Sequence, residues 1–205
     1  WTNSPQSIDG SASVNKATRT SSSCPLIWPQ LYLPISTDPT HPKHSRLEPL
    51  KDEIELTWHL TQRVASFLNI SEEHIEPFQI VRYEPGQLYR EHHDHGSYYS
   101  ATTEQRPYTL LLFLSDMPTE DRGYTKFRAL NEEGGGVSIV PRMGDGVLWR
   151  NEDEVTGELL MDAVHEAVPP TDDHNKNGVI KYAMNVWIAK AKIMENMDVS
   201  AYRTK

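Results

Sequence analysis

His92, His93 and Asp94 carry the clearest chemistry in this chain. They end a strand-like run, residues 87–94, in which successive side chains alternate between two faces. His92 and Asp94 therefore project to one side and His93 to the other. An imidazole and a carboxylate on one face are two-thirds of a 2-His-1-carboxylate facial triad, which holds ferrous iron and leaves coordination positions open. The third ligand must come from elsewhere, and after residue 95 the histidines are His165 and His174. His165 has Ala163, Val164 and Ala167 about it and reads as a strand residue, whereas His174 sits in a polar loop between Asp173 and Asn175. His165 is the better candidate. His93 and His95 read as outward neighbours or as donors behind the ligands.

A ferrous centre of this kind needs a chelating reductant, most often 2-oxoglutarate, whose far carboxylate requires a buried cation. In the run 179–189, Lys181, Ala183, Asn185 and Trp187 share one face and Tyr182, Met184, Val186 and Ile188 the other. A lysine turned inward beside alanine and tryptophan is costly unless an anion pairs with it. A bound dicarboxylate would be that anion.

The elements that must position these groups follow from pattern. Short β-rich runs fall at 78–83, 87–94, 108–115, 137–140, 146–150, 163–168 and 179–189, separated by acidic or Gly-rich loops. Such spacing predicts a sandwich or barrel. Upstream, Leu56, Leu60, Val64 and Phe67 form a helical stripe over 49–68, with Pro49 suited to the first turn. Residues 34–44 read as a loop or lid, and 1–24 as a loose arm in which 18–20 could begin an edge strand.

Composition sets the outer limits. The 205 residues suit one domain, with 37% hydrophobic and 24% charged residues, which argues against disorder. A net charge of −9 argues against nucleic acid as substrate. The single Cys24 excludes an internal disulfide and a Cys-rich zinc site. No apolar run reaches the ~20 residues of a membrane span. The first residue is Trp1, so the expectation is a soluble domain cut from a longer, secretory or membrane-anchored precursor; Asn69-Ile70-Ser71 fits a glycosylation acceptor.

The stretch Tyr83-Glu84-Pro85-Gly86-Gln87-Leu88-Tyr89-Arg90-Glu91-His92-His93-Asp94 resembles the metal-binding strand of prolyl 4-hydroxylases of the collagen and plant cell-wall type. Arg106-Pro107-Tyr108-Thr109, Gly123-Tyr124-Thr125-Lys126-Phe127, Pro141-Arg142-Met143-Gly144-Asp145, His165 and Lys181 follow in the family's order, with Trp187 six residues beyond the lysine. Thr18-Arg19-Thr20-Ser21-Ser22 resembles its N-terminal strand, so the likeness covers roughly residues 18–190.

The resemblance implies an α+β, mainly β fold: a double-stranded β-helix (jelly roll) with supporting N-terminal helices. It implies Fe(II) on His92, Asp94 and His165, and the distal carboxylate of 2-oxoglutarate on Lys181. Tyr83, Thr109 and Trp187 would line the co-substrate pocket, with Tyr83 donating a hydrogen bond. The reaction implied is hydroxylation of peptidyl proline with O₂, yielding succinate and CO₂, with ascorbate as reductant. It also implies the endoplasmic reticulum or secretory lumen as compartment and a Pro-rich peptide as partner, against which Tyr98 and Tyr99 could stack. Oxygen-sensing and nucleic-acid-demethylating relatives carry an arginine where Lys181 stands. Arg122 and Arg128 replace a usual Gly and Pro, Phe113 replaces a tyrosine, and 171–177 is an apparent insertion. These departures leave open the same chemistry on a free amino acid, another side chain or a small metabolite. A catalytically silent jelly-roll binding module is the reading from a different class. A zinc hydrolase is a further one, disfavoured because no H-E-x-x-H motif is present.

Overall fold

The computed structural model describes residues 2–3, 18–96, 105–118, 122–131, 135–171 and 179–193. Two antiparallel sheets face each other across an apolar interior. The larger runs, edge to edge, β1 (Thr2–Asn3), β2 (Ser22–Pro25), β3 (Gln79–Tyr83), β10 (Lys181–Ile188), β5 (Tyr108–Phe113) and β8 (Gly146–Arg150). The smaller runs β4 (Tyr89–His92), β9 (His165–Ala167), β6 (Thr125–Phe127) and β7 (Val137–Ile139). The chain thus forms a mainly β, two-sheet domain with helices ahead of it, as the spacing of the runs predicts.

Strand β10 shows why the larger sheet is stable. Its alternation holds: Ala183 packs between the sheets with Val81, Tyr83, Leu111, Phe113 and Ala167. Met184, Val186 and Ile188 turn the other way, onto Val64, Ala65, Ile75, Phe78 and Leu110. A strand covered on both faces reads as nearly continuous apolar sequence, and this one does apart from Lys181 and Asn185.

The covering layer is helical: α1 (Pro29–Ser36), α2 (His44–Leu47) and α3 (Lys51–Leu68). Asp52 and Glu53 suit the positive end of α3, and Asn69, left-handed at φ 54°, closes it. The buried stripe of α3 is Ile54, Thr57, Thr61, Val64 and Ala65, while Leu56 and Phe67 are 60% and 71% exposed. The expected Leu56–Leu60–Val64–Phe67 stripe is therefore rotated. Threonine enters the core because its hydroxyl bonds back along the helix: Thr57 Oγ1 donates to the Glu53 carbonyl at 2.7 Å and Thr61 Oγ1 to that of Thr57 at 2.8 Å.

Two more expectations shift. The loop expected over 34–44 is shorter, 37–43: α1 runs through Pro34 to Ser36, and α2 begins at His44. Not all of 1–24 is loose, since β2 pairs with β3 and Arg19 bridges to Tyr89. The strand expected to begin at 18–20 lies at Ser22–Pro25, and at 18–20 only the isolated bridge forms. Residues 1 and 4–17 of the arm, Tyr98, Tyr99, His174 and most of the 171–177 insertion lie outside the described residues.

Candidate metal centre

Strands β4 and β9 pair so that His92 stands directly across from His165. Asp94 follows two residues after the end of β4. The three form a cluster whose ligand atoms all lie within 4.8 Å of one another. His92 Nε2 is 3.9 Å from Asp94 Oδ1, and His165 Nε2 is 4.0 Å from Asp94 Oδ2. His93 is exposed, as alternation requires.

The tautomers follow from the backbone. His92 Nδ1 meets the Arg90 carbonyl at 2.7 Å and His165 Nδ1 the Ala163 carbonyl at 2.9 Å. A carbonyl only accepts, so each Nδ1 carries the proton and each Nε2 keeps its lone pair toward Asp94. Burial, helped by the neighbouring His165 ring, brings His92 down to about 3, which keeps it neutral at physiological pH. Burial pushes the Asp94 carboxyl upward, but His165, His92, Arg106 and the Thr109 hydroxyl outweigh it and hold the group below its ordinary value. Two imidazoles and one carboxylate suit a borderline divalent ion such as Fe(II), and no fourth protein ligand joins them among the described residues.

Aromatic walls fix both imidazoles. The Tyr89 ring stacks on His92 with centroids 3.4 Å apart and planes 13° apart, and the Arg19 guanidinium sits over the tyrosine ring, 4.6 Å from its centroid. Trp149 and Phe127 flank His165 at 4.8 and 5.4 Å. None of these four side chains was singled out from sequence as a support for the ligands. Tyr89 could have been, three residues before His92, but stacking between the two rings needs the bulge that shifts the β4–β9 register between them.

Lys181 lies at the start of β10, 1% exposed. Its Nζ donates to Thr125 Oγ1 at 3.3 Å and lies 5.5 and 5.9 Å from the Tyr83 and Phe113 rings. No carboxylate among the described residues offsets its charge, and burial alone brings the ammonium down to about 7. Tyr83 packs with Phe113 in the apolar cluster beside the ammonium, its hydroxyl bonded with Ser21 and its pKa raised by burial. Phe113, which stands for the family's tyrosine, is 1% exposed and brings no hydroxyl to that cluster.

Thr109 and Trp187 sit elsewhere than beside the lysine. Trp187 stands opposite Thr109 in the β10–β5 register, and Thr109 Oγ1 donates to Asp94 Oδ2 at 2.9 Å. Thr109 thus touches the ligand cluster, and the backbone of Trp187, paired with it, lies six positions along β10 from that of Lys181, about 20 Å by strand rise. The Arg106 guanidinium covers the Trp187 ring at 4.1 Å and forms a buried two-bond pair with Glu76, each bond 2.7 Å. The indole Nε1 of Trp187 is buried without a partner among the described residues.

The sequence model described as the 2OG-Fe(II) oxygenase superfamily matches residues 78–189, which include every ligand above and Lys181. The chain belongs to that superfamily. Among relatives of the oxygenase, probable prolyl 4-hydroxylase 10 of Arabidopsis thaliana is 36% identical over 106 residues, 44% of this chain and 36% of the plant protein. The matched stretch thus spans little more than a third of that relative. Among solved structures, the viral collagen prolyl hydroxylase of Paramecium bursaria Chlorella virus-1, in its 2OG complex, shares the fold with a TM-score of 0.55 at 23% identity, covering 85% of this chain and 81% of that one. A Trichoplax adhaerens prolyl hydroxylase, in complex with a hypoxia inducible factor oxygen degradation domain peptide fragment, does so at 0.57 and 17% identity, covering 94% and 73%.

Proposed function

We propose that this oxygenase is a prolyl 4-hydroxylase built on a double-stranded β-helix. It would act on proline in extended, Pro-rich peptides, with 2-oxoglutarate converted to succinate and CO₂. The observation that carries this reading is the placement of Lys181 relative to the ligand cluster. In the β6–β9 register Phe127 stands opposite His165, while Thr125, which holds Lys181, stands opposite Ala167. Thr125, whose hydroxyl the Lys181 ammonium reaches, is therefore two strand positions along β6 from the level of His165, about 7 Å, room suited to a five-carbon dicarboxylate between cation and cluster.

His92, Asp94 and His165 would hold Fe(II), which when bound supplies the O₂ activation that side chains cannot. Lys181 and Thr125 would bind the distal carboxylate, repaying the cost of burying the ammonium. Tyr83, Phe113 and Ala183 would wall that pocket from water. Trp187, paired with Thr109 and with a free N–H, would face the peptide side of the cavity. Extended Pro-rich segments carry a preformed polyproline II shape, so they lose little entropy on docking. Ascorbate as reductant and a secretory compartment complete the proposal, supported by the resemblance to collagen-type and plant cell-wall enzymes.

The test is succinate formation from 2-oxoglutarate and Fe(II), with and without Pro-rich peptides, beside mass spectrometry for oxygen gain on proline and a His92→Ala control. Peptide-stimulated succinate with hydroxyproline, abolished in the variant, is the expected result. Succinate without peptide oxidation would overturn the substrate assignment. Absence of turnover from protein with bound iron would favour a binding module.

A further inference from the structure

Behind the metal-facing carboxylate runs a chain of hydrogen bonds whose direction is set at both ends. Trp149 Nε1 donates to Asn151 Oδ1 at 2.8 Å. Asn151 Nδ2 donates to Thr109 Oγ1 at 2.9 Å and to the Arg106 carbonyl at 3.0 Å. Thr109 Oγ1 donates to Asp94 Oδ2 at 2.9 Å. Asn151 and Thr109 are both 0% exposed, so no water competes for these groups.

Chemistry leaves no choice of direction. An indole N–H only donates, which assigns the oxygen of the Asn151 amide to Trp149. The amide nitrogen then faces Thr109 and the Arg106 carbonyl, and both of its protons are used. Because Thr109 receives one of them, its own single proton is free only for Asp94. An ionised carboxylate only accepts, so the chain terminates there. Its first member also touches the opposite ligand, since the Trp149 ring lies 4.8 Å from that of His165.

We propose that Asn151 is a positioning residue for the metal centre. It locks the Thr109 hydroxyl so that Oδ2 of Asp94 is held by a hydrogen bond and Oδ1 is left to the ion. Without Asn151 the Thr109 hydroxyl loses the donor that occupies its lone pair and fixes its proton on Asp94. The proposal rests on the reading of His92, Asp94 and His165 as the metal site and adds how a residue just past the end of β8 governs one of its ligands.

The experiment is calorimetric titration of the metal-free protein with Co(II), together with the visible ligand-field band of the bound ion. Thr109→Val and Asn151→Ala should each weaken Co(II) binding about 10- to 100-fold, the range for groups that orient ligands from behind. Asn151→Asp serves where Asn151→Ala folds poorly: it keeps the shape and still accepts from Trp149, but gives the Thr109 proton a competing acceptor, so affinity should fall similarly. Thr109→Ser should restore most of the affinity. The double variant Thr109→Val/Asn151→Ala should bind no more weakly than Thr109→Val alone, because Asn151 acts through the hydroxyl. Affinity and band unchanged in both Asn151 variants, with only a lower melting temperature, would overturn the proposal, as would losses that multiply in the double variant. A wild-type protein that binds Co(II) no better than His92→Ala would instead overturn the metal-site reading itself.

Discussion

Strand β10 of the larger sheet is eight residues long and covered on both faces, whereas β4 and β9, which carry His92 and His165, have four and three residues. On β4 two of the four positions are exposed, and on β7 at the rim of the same sheet two of three. The larger sheet has α3 packed against its back; the smaller has no helix behind it among the described residues. The larger sheet therefore stands on its own buried apolar area, and it carries Lys181, a buried cation, and Thr109, whose hydroxyl donates to Asp94. The smaller sheet carries two ligands on short strands and depends on its facing partner, and on whatever joins those ligands, for rigidity. Binding chemistry is thus spread over a firm half and a yielding half.

The sharpest break of this contrast is at the ligands. Asp94→Ala should lower turnover by at least about 10³-fold, while leaving the urea midpoint of metal-free protein nearly unchanged. On the firm half the result should be reversed: Met184→Ala, at a site 4% exposed under α3, should cost about 2–5 kcal/mol in urea unfolding with Co(II) affinity intact. If Met184→Ala weakens metal binding as strongly as it weakens the fold, the division between sheets fails.

Metal itself is the third probe. At a hundred times its dissociation constant Co(II) should stabilise the protein by about 2.7 kcal/mol, and the gain in hydrogen-exchange protection should fall chiefly on β4 and β9. Equal gains along β10 and β5 would mean that the sheets open together.

Lys181 gives a prediction in pH. Its native value of about 7 lies below the ordinary 10.5, so between those limits the unfolded chain holds a proton that the native one has released. Stability then rises with pH, by about 2 kcal/mol from pH 7 to 9 in metal-free and co-substrate-free protein. Below pH 7 the cost is present in full and flat. Lys181→Met should remove this slope and be the more stable protein at pH 7, as denaturant curves on both would show. A dicarboxylate bound at Lys181 should remove the slope too, with proton uptake measurable in buffers of different ionisation enthalpy.

Last and smallest, Phe67→Ser on the outer side of α3 should change stability by no more than about 0.5 kcal/mol, since the ring is 71% exposed. That null result marks where pattern reading and structure part. A hydropathy stripe counts threonine as polar, so it passed over Thr57 and Thr61 and chose Leu56 and Phe67. Helix α1 was hidden by Pro34, which reads as a breaker, and β6 by its length, because three residues cannot display alternation. The site was more legible, for a physical reason. His92, Asp94 and the inner face of β10 follow from two-residue periodicity, which survives in any strand. Asn151, Phe127, Tyr89 and Arg19 act through contacts between distant segments, and nothing local distinguishes an asparagine that orients a carboxylate from one that ends a strand.

The direct opposition of His92 and His165 also makes the ion a gauge of strand registry. A slip of β4 by one residue against β9 would turn His92 and Asp94 outward and present His93 instead. Misaligned molecules could keep much of their sheet content yet offer no pair of imidazoles to a metal. After refolding, the ratio of captured ion to protein therefore counts the chains whose two histidine strands have met in the right alignment, which spectroscopy of backbone content alone would miss.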